Sequence, residues 1–142
     1  VRKWSLQALG AIGDQRAAGI LIKALKDERM TVRLHAVRGL ARMQYKRAVP
    51  HIKLLLKDPS GGIRVNAVQA LIVLKGKSAE RAILASLADE QWYVRQQAAR
   101  DCGKLGLRSG APKLKRALKD PRKAVRDAAQ GSLDQLMRFS QR

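Results

Sequence analysis

Val32-Arg33-Leu34-His35-Ala36-Val37-Arg38-Gly39-Leu40-Ala41-Arg42-Met43 reads as one amphipathic helix, and its opening pair recurs along the chain at a fixed interval. Val1-Arg2, Val32-Arg33, Ile63-Arg64, Val94-Arg95 and Val125-Arg126 follow one another every 31 residues with no insertion. Self-similarity at such a period means units that cannot bury their apolar faces alone and must stack on their neighbours. Counting from each pair, the fifth residue is Ser5, Ala36, Ala67, Ala98 and Ala129, so it must be small. The ninth is Leu9, Leu40, Leu71, Cys102 and Leu133, and the twelfth is Ile12, Met43, Leu74, Leu105 and Leu136. Positions one, five, nine and twelve share a face at the helical period. This is the second helix of each unit.

In the first four copies a glycine or polar residue stands at the thirteenth position, and Gly13 and Gly106 suit a left-handed helix end. Ser78 and Ser109, at one register, are expected to cap the following helix, and Pro50 and Pro112 fit its first turn. The first-helix core then reads Leu21, Ile52, Ile83 and Leu114, and four residues on Leu25, Leu56, Leu87 and Leu118. A column of Asp27, Asp58, Asp89 and Asp120, followed by Glu28, Pro59, Glu90 and Pro121, marks the turn between the two helices. Each turn aspartate and the arginine six residues later can bond exposed backbone groups and one another along the stack. Those arginines are therefore not counted as ligand-binding groups.

Ile12-Gly13-Asp14, Leu21-Ile22-Lys23-Ala24-Leu25-Lys26-Asp27 and Val32-Arg33 resemble the HEAT-like repeats of the phycobilisome-lyase type, and the resemblance covers the whole chain. It implies an all-α fold, a right-handed α-solenoid of stacked antiparallel helix pairs whose second helices line the concave side. It also implies a binding scaffold. On this reading residues 1–142 form a single HEAT-like repeat domain: the second helix of a first repeat, three complete units, and a final unit ending in a capping helix. Opening on a second helix leaves Leu6, Leu9 and Ile12 without a covering first helix, so the chain is expected to be the C-terminal part of a longer protein. Gln130 and Asp134, where earlier copies carry Val37, Val68, Ala41 and Ile72, read as the terminal cap. Artificial consensus repeats look similar, but Cys102 in a leucine column, Glu80 sharing a column with Ala111, and Gly131 in the last helix are the drift of a natural sequence.

Thirty Lys and Arg against eleven Asp and Glu give the 142 residues a net charge of +19. Such a chain repels itself unless something anionic is near. A single cysteine excludes an intrachain disulfide and leaves the cytoplasm as the default expectation. No apolar run approaches the roughly 18 residues that span a bilayer.

The fourth, seventh and eleventh positions of each second helix lie opposite its core face, and by the family geometry face the groove. They are Trp4 and Gln7; His35, Arg38 and Arg42; Asn66, Gln69 and Val73; Gln97, Arg100 and Lys104. The row is basic, amide-rich and free of acid, which suits phosphate contact and polar recognition, with Trp4 available for stacking. The same residues also serve solubility and helix propensity on exposed faces. A second basic patch, Lys113, Lys115, Arg116, Lys119, Arg122 and Lys123, falls on a first helix and its turn, on the convex side and rim. Trp92-Tyr93 is read as packing, one ring on the next turn and the other over the rim.

No metal or other cofactor is expected. His35 and His51 sit on different helices, without the paired His-Glu motif of HEAT-repeat metal hydroxylases. Cys102 occupies a core column, and no Ser-His-Asp set or glycine-rich phosphate loop is present. Two kinds of enzyme share the repeat type: bilin lyases, for which no residue here can be assigned to chromophore handling, and DNA glycosylases, which the chain matches in charge alone. The reading is a noncatalytic scaffold binding an acidic macromolecule through its concave face. An acidic protein comes first, sequence-independent nucleic-acid binding on the same face is the alternative, and a HEAT-like repeat enzyme is third. An anionic membrane surface ranks below both macromolecular partners, and no small-molecule substrate is expected.

Overall fold

The computed structural model describes residues 15–140, and every regular element among them is helical. The chain divides into two compact halves, Val1–Gly76 and Lys77–Arg142. The first contains α1 (Ala18–Ala24), α2 (Met30–Met43), α3 (Val49–Leu54) and α4 (Gly61–Lys75). The second contains α5 (Glu80–Ser86), α6 (Trp92–Lys104), α7 (Ala111–Ala117) and α8 (Lys123–Ser140). Odd-numbered helices are the first of each pair and even-numbered helices the second, as the repeat requires.

The cores are those of the periodic columns. Val32, Ile63, Val94 and Val125 are buried at the start of the second helices, and Leu21, Ile52, Ile83 and Leu114 are fully buried in the first. The small column follows, with Ala36, Ala67, Ala98 and Ala129 all buried. A larger side chain there would force the paired helices apart, because interiors are close-packed. Packing loosens toward the first-helix ends, where Leu56, Leu87 and Leu118 are half-buried, and at Leu105 and Leu133. Ser5, Leu6, Leu9, Ile12 and Gly13 lie outside the described residues.

Helix ends follow local chemistry. Gly106 takes φ 64°, the left-handed conformation expected of it, and Gln44 closes α2 in the same region at φ 57°. Pro50 and Pro112 sit in the first turns of α3 and α7. The serine caps are not made. A 3₁₀ turn leads into each first helix (Gln15–Ala17, Lys46–Ala48, Gly76–Ala79 and Arg108–Gly110), so that α5 and α7 start beyond their serines. Ala79 and Gly110 occupy the capping positions without a side-chain bond, while Ser109 Oγ donates to the Glu80 carboxylate. These turns close on one more small column, Ala17, Ala48, Ala79 and Gly110, all buried. A Cβ at Gly110 would lie 3.1 Å from both Cys102 Sγ and Leu84 Cδ2.

The inter-helix turns are built alike. Asp27, Asp58, Asp89 and Asp120 each accept the backbone N–H two residues on through Oδ1, at 2.8–2.9 Å. The arginine six residues after each aspartate donates Nη1 to the two turn carbonyls, as Arg33 does to Asp27 and Glu28 and Arg126 to Asp120 and Pro121. Arg64 and Arg95 repeat that pattern. Within each half the ladder also runs between repeats: Arg33 holds Asp58, and Arg95 holds Asp120, each through two N–H groups. The expected structural role of these arginines is what the geometry shows.

Candidate functional site

Engagement of the cations, more than their number, defines the site. Arg33, Arg64, Arg95 and Arg126 are committed to turn carbonyls and so have little left to offer a partner. On the outward row of the first half, Arg38 and Arg42 of α2 are exposed, while His35, Asn66 and Gln69 are half-buried. Arg38 Nε donates to Asn66 Oδ1 at 3.1 Å, and Asn66 Nδ2 donates to the Gly62 carbonyl, so one polar chain links α2 to α4. Val73, 57% exposed, adds an apolar spot to the row. Nearby, Lys75 titrates below an ordinary lysine through desolvation and the adjoining Lys53 cation of α3. Trp4 and Gln7 lie outside the described residues.

In the second half, Gln97 Nε2 donates to the buried Asp101 at 3.1 Å, whereas Arg100 and Lys104 stand exposed. Among the described residues Arg42, Arg100 and Lys104 engage no acidic side chain. The patch of Lys113, Lys115, Arg116 and Lys119 is exposed along α7 and its turn. Its other two members, Arg122 and Lys123, are engaged. The Arg122 guanidinium lies 5.2 Å over the Trp92 ring, which meets Tyr93 edge to face at 5.8 Å, and Lys123 pairs with Asp127 at 3.3 Å.

Arg100 and Lys104 also form one wall of a cleft. α6 and α8 approach so closely at Gly103 that a Cβ there would lie 2.9 Å from Ser132 Cα, and Ser132 Oγ donates to the Ala99 carbonyl. Beside this contact the helices frame a cleft of about 790 Å³. Gln96, Arg100 and Lys104 line it from α6, with Ala124, Asp127, Ala128, Gly131, Ser132, Gln135 and Arg138 from α8. Reading the last unit as a cap leaves out the α8 wall. Carried one copy further, however, the fourth, seventh and eleventh positions are Ala128, Gly131 and Gln135, all three in the cleft.

The other side of α8 has a cleft of about 590 Å³, with Leu118, Leu133, Leu136 and Met137 among its lining residues. Gln130 and Asp134 line it too and bond to each other at 3.0 Å. Cys102 is fully buried, and burial, reinforced by Asp101 and Glu80, pushes its thiol up to about 11. That makes it a core residue and a poor nucleophile. Among the described residues no cluster of three or more His, Cys, Asp or Glu could hold a metal ion, and no helix is long and apolar enough to cross a membrane.

A sequence model of HEAT repeats matches residues 1–72 and 49–134. No curated protein matches the chain closely enough to count as a relative. Among solved structures it is similar to a chain in the complex of CpcE and CpcF of phycocyanin lyase from Nostoc sp. PCC7120, with 25% identity and a TM-score of 0.74 over 96% of this chain. The match covers 59% of the Nostoc chain, less than two thirds of its length. An engineered protein is similar in fold, with 17% identity and a TM-score of 0.61 over 94% of this chain and 67% of its own.

Proposed function

We propose that this chain, which belongs to the HEAT-repeat family, is a noncatalytic scaffold that binds an acidic protein through the outward rows of its second helices. The observation that carries this reading is the division of the cations. The turn arginines are locked into the frame, while Arg42 on α2 and Arg100 and Lys104 on α6 are exposed and form no ion pair among the described residues. Uncommitted cations on rigid helices attract an acidic partner from a distance and fix its register on contact.

Protein is favoured over other anions by what surrounds the charge. The rows mix exposed charge with half-buried amides, Asn66, Gln69 and Gln97, and the exposed apolar Val73, the mixture of a protein-binding surface. The Nostoc chain comes from a complex of two lyase subunits, which agrees with a part in protein assembly. Nucleic acid is the second reading, favoured by the net charge of +19, because phosphate contact needs little besides charge.

The two readings separate in a salt titration of the protein against a fluorescent peptide of alternating Glu and Leu and against a fluorescent DNA duplex. The peptide should keep a salt-resistant part of its affinity, while the duplex is released as salt rises. Tighter duplex binding that persists above physiological salt would put nucleic acid first. Turnover of a substrate, abolished by one substitution that leaves binding intact, would refute the noncatalytic reading.

A further inference from the structure

Resting on the scaffold reading and narrowing it to one place, we infer that the cleft between α6 and α8 is the seat of an extended acidic segment of the partner. Its carboxylates lie against Arg100, Lys104 and Arg138, and its backbone passes over Gly131. The three cations line one cleft, are exposed, and engage no acidic side chain among the described residues. Ala99 meets Ser132, and Gly103 adjoins Ser132 and Gln135, so the two helices run alongside each other in one direction. Lys104 and Arg138 therefore share the end where the helices finish.

Asp127, paired with Lys123, stands toward the other end. The cleft is thus graded in charge, which sets a direction: acidic residues at the Lys104 end, and a basic residue or free backbone N–H groups beside Asp127. From Ala124 to Arg138 the α8 wall runs about 21 Å, at roughly 1.5 Å per residue, the reach of about six extended residues. Gln96 and Gln135 supply side-chain amides that can pair with a peptide backbone. No lining residue is aromatic, so a single-stranded nucleic acid would find no stacking platform.

Gly131 provides the test, because a Cβ built there meets nothing within 4 Å. Gly131→Leu should fill the cleft without strain, and removing a helix-interior glycine should hold or raise Tm. The probe is a fluorescent hexapeptide with glutamates at one end and a lysine at the other, followed by anisotropy. Wild type should bind it, and both Gly131→Leu and the pair Arg100→Gln with Arg138→Gln should weaken it by about tenfold or more. Unchanged affinity in Gly131→Leu, alongside loss in the arginine pair, would overturn the cleft and leave the scaffold reading standing. Failure of wild type to bind the hexapeptide, while the longer Glu-Leu peptide binds, would do the same. If neither peptide binds and the duplex does, both readings fall.

Discussion

Arg95 and Asp120, 25 positions apart, meet in a two-point ion pair, Nε to Oδ2 at 2.7 Å and Nη2 to Oδ1 at 3.1 Å. The same guanidinium donates Nη1 to the Asp89 and Glu90 carbonyls, so one side chain clamps two successive turns. Lysine keeps the charge but not the planar fork. Arg95→Lys should therefore destabilise the protein by about 1–3 kcal/mol, read as a lower urea midpoint. An unchanged midpoint would mean that the clamp is incidental to stability.

Asp120 makes that clamp sensitive to acid. Its carboxyl is held below the usual range by the Arg95 hydrogen bond first, against partial burial, with help from the Arg122 N–H and the charges of Arg95 and Arg126. A depressed folded pKa contributes stability above the unfolded carboxylate value of about 3.9, and that contribution disappears as pH falls through the lower folded value. Thermal scans from neutral pH into acid should therefore show wild type well above Asp120→Asn at neutrality, with the two curves converging at low pH. Parallel curves would place the acid sensitivity elsewhere.

Much of this was legible in the sequence because a strict period turns each core position into a column. The Val-Arg start, the small fifth position and the aspartate-arginine turn can all be read down the chain, and among the described residues the structure places them as read. The serine caps failed because the next residue also mattered. Ala17, Ala48, Ala79 and Gly110 form a buried column that draws the chain into a 3₁₀ turn and moves the helix start past the serine. That column was visible at the same period. Asp127 and Arg138 are different, since they line the cleft only through the close approach of α6 and α8 at Gly103 and Ser132. One helix read alone contains no sign of it.

Cys102 should be inert in the native protein. Its side chain is fully buried and its thiol titrates at about 11, raised chiefly by burial. A thiol-disulfide reagent at mildly alkaline pH should react at a rate that follows global unfolding as urea is added. The raised pKa also means a stability contribution that is complete below the unfolded thiol value and is lost as pH climbs toward the folded one. Rapid labelling without urea would show that this core column opens locally.

Two glycines separate packing from propensity. At Gly103 a methyl would press on the Ser132 backbone, so Gly103→Ala should cost about 1–3 kcal/mol. At Gly131 the same methyl meets open space, so Gly131→Ala should stabilise by about 1 kcal/mol through helix propensity. Denaturant midpoints moving in opposite directions would confirm the close crossing of α6 and α8. Equal shifts would contradict it.

The most direct test of the scaffold compares two sets of four charges for binding to the fluorescent Glu-Leu peptide near physiological salt. One protein carries Arg38→Gln, Arg42→Gln, Arg100→Gln and Lys104→Gln, and the other Lys113→Gln, Lys115→Gln, Arg116→Gln and Lys119→Gln. Both lose the same net charge, and both should keep a Tm close to wild type, since exposed surface substitutions change stability little. The second-helix set should bind at least about tenfold more weakly than wild type, and the α7 set should stay within about threefold. Equal losses would contradict the account, because the partner would then be reading net charge and not a site.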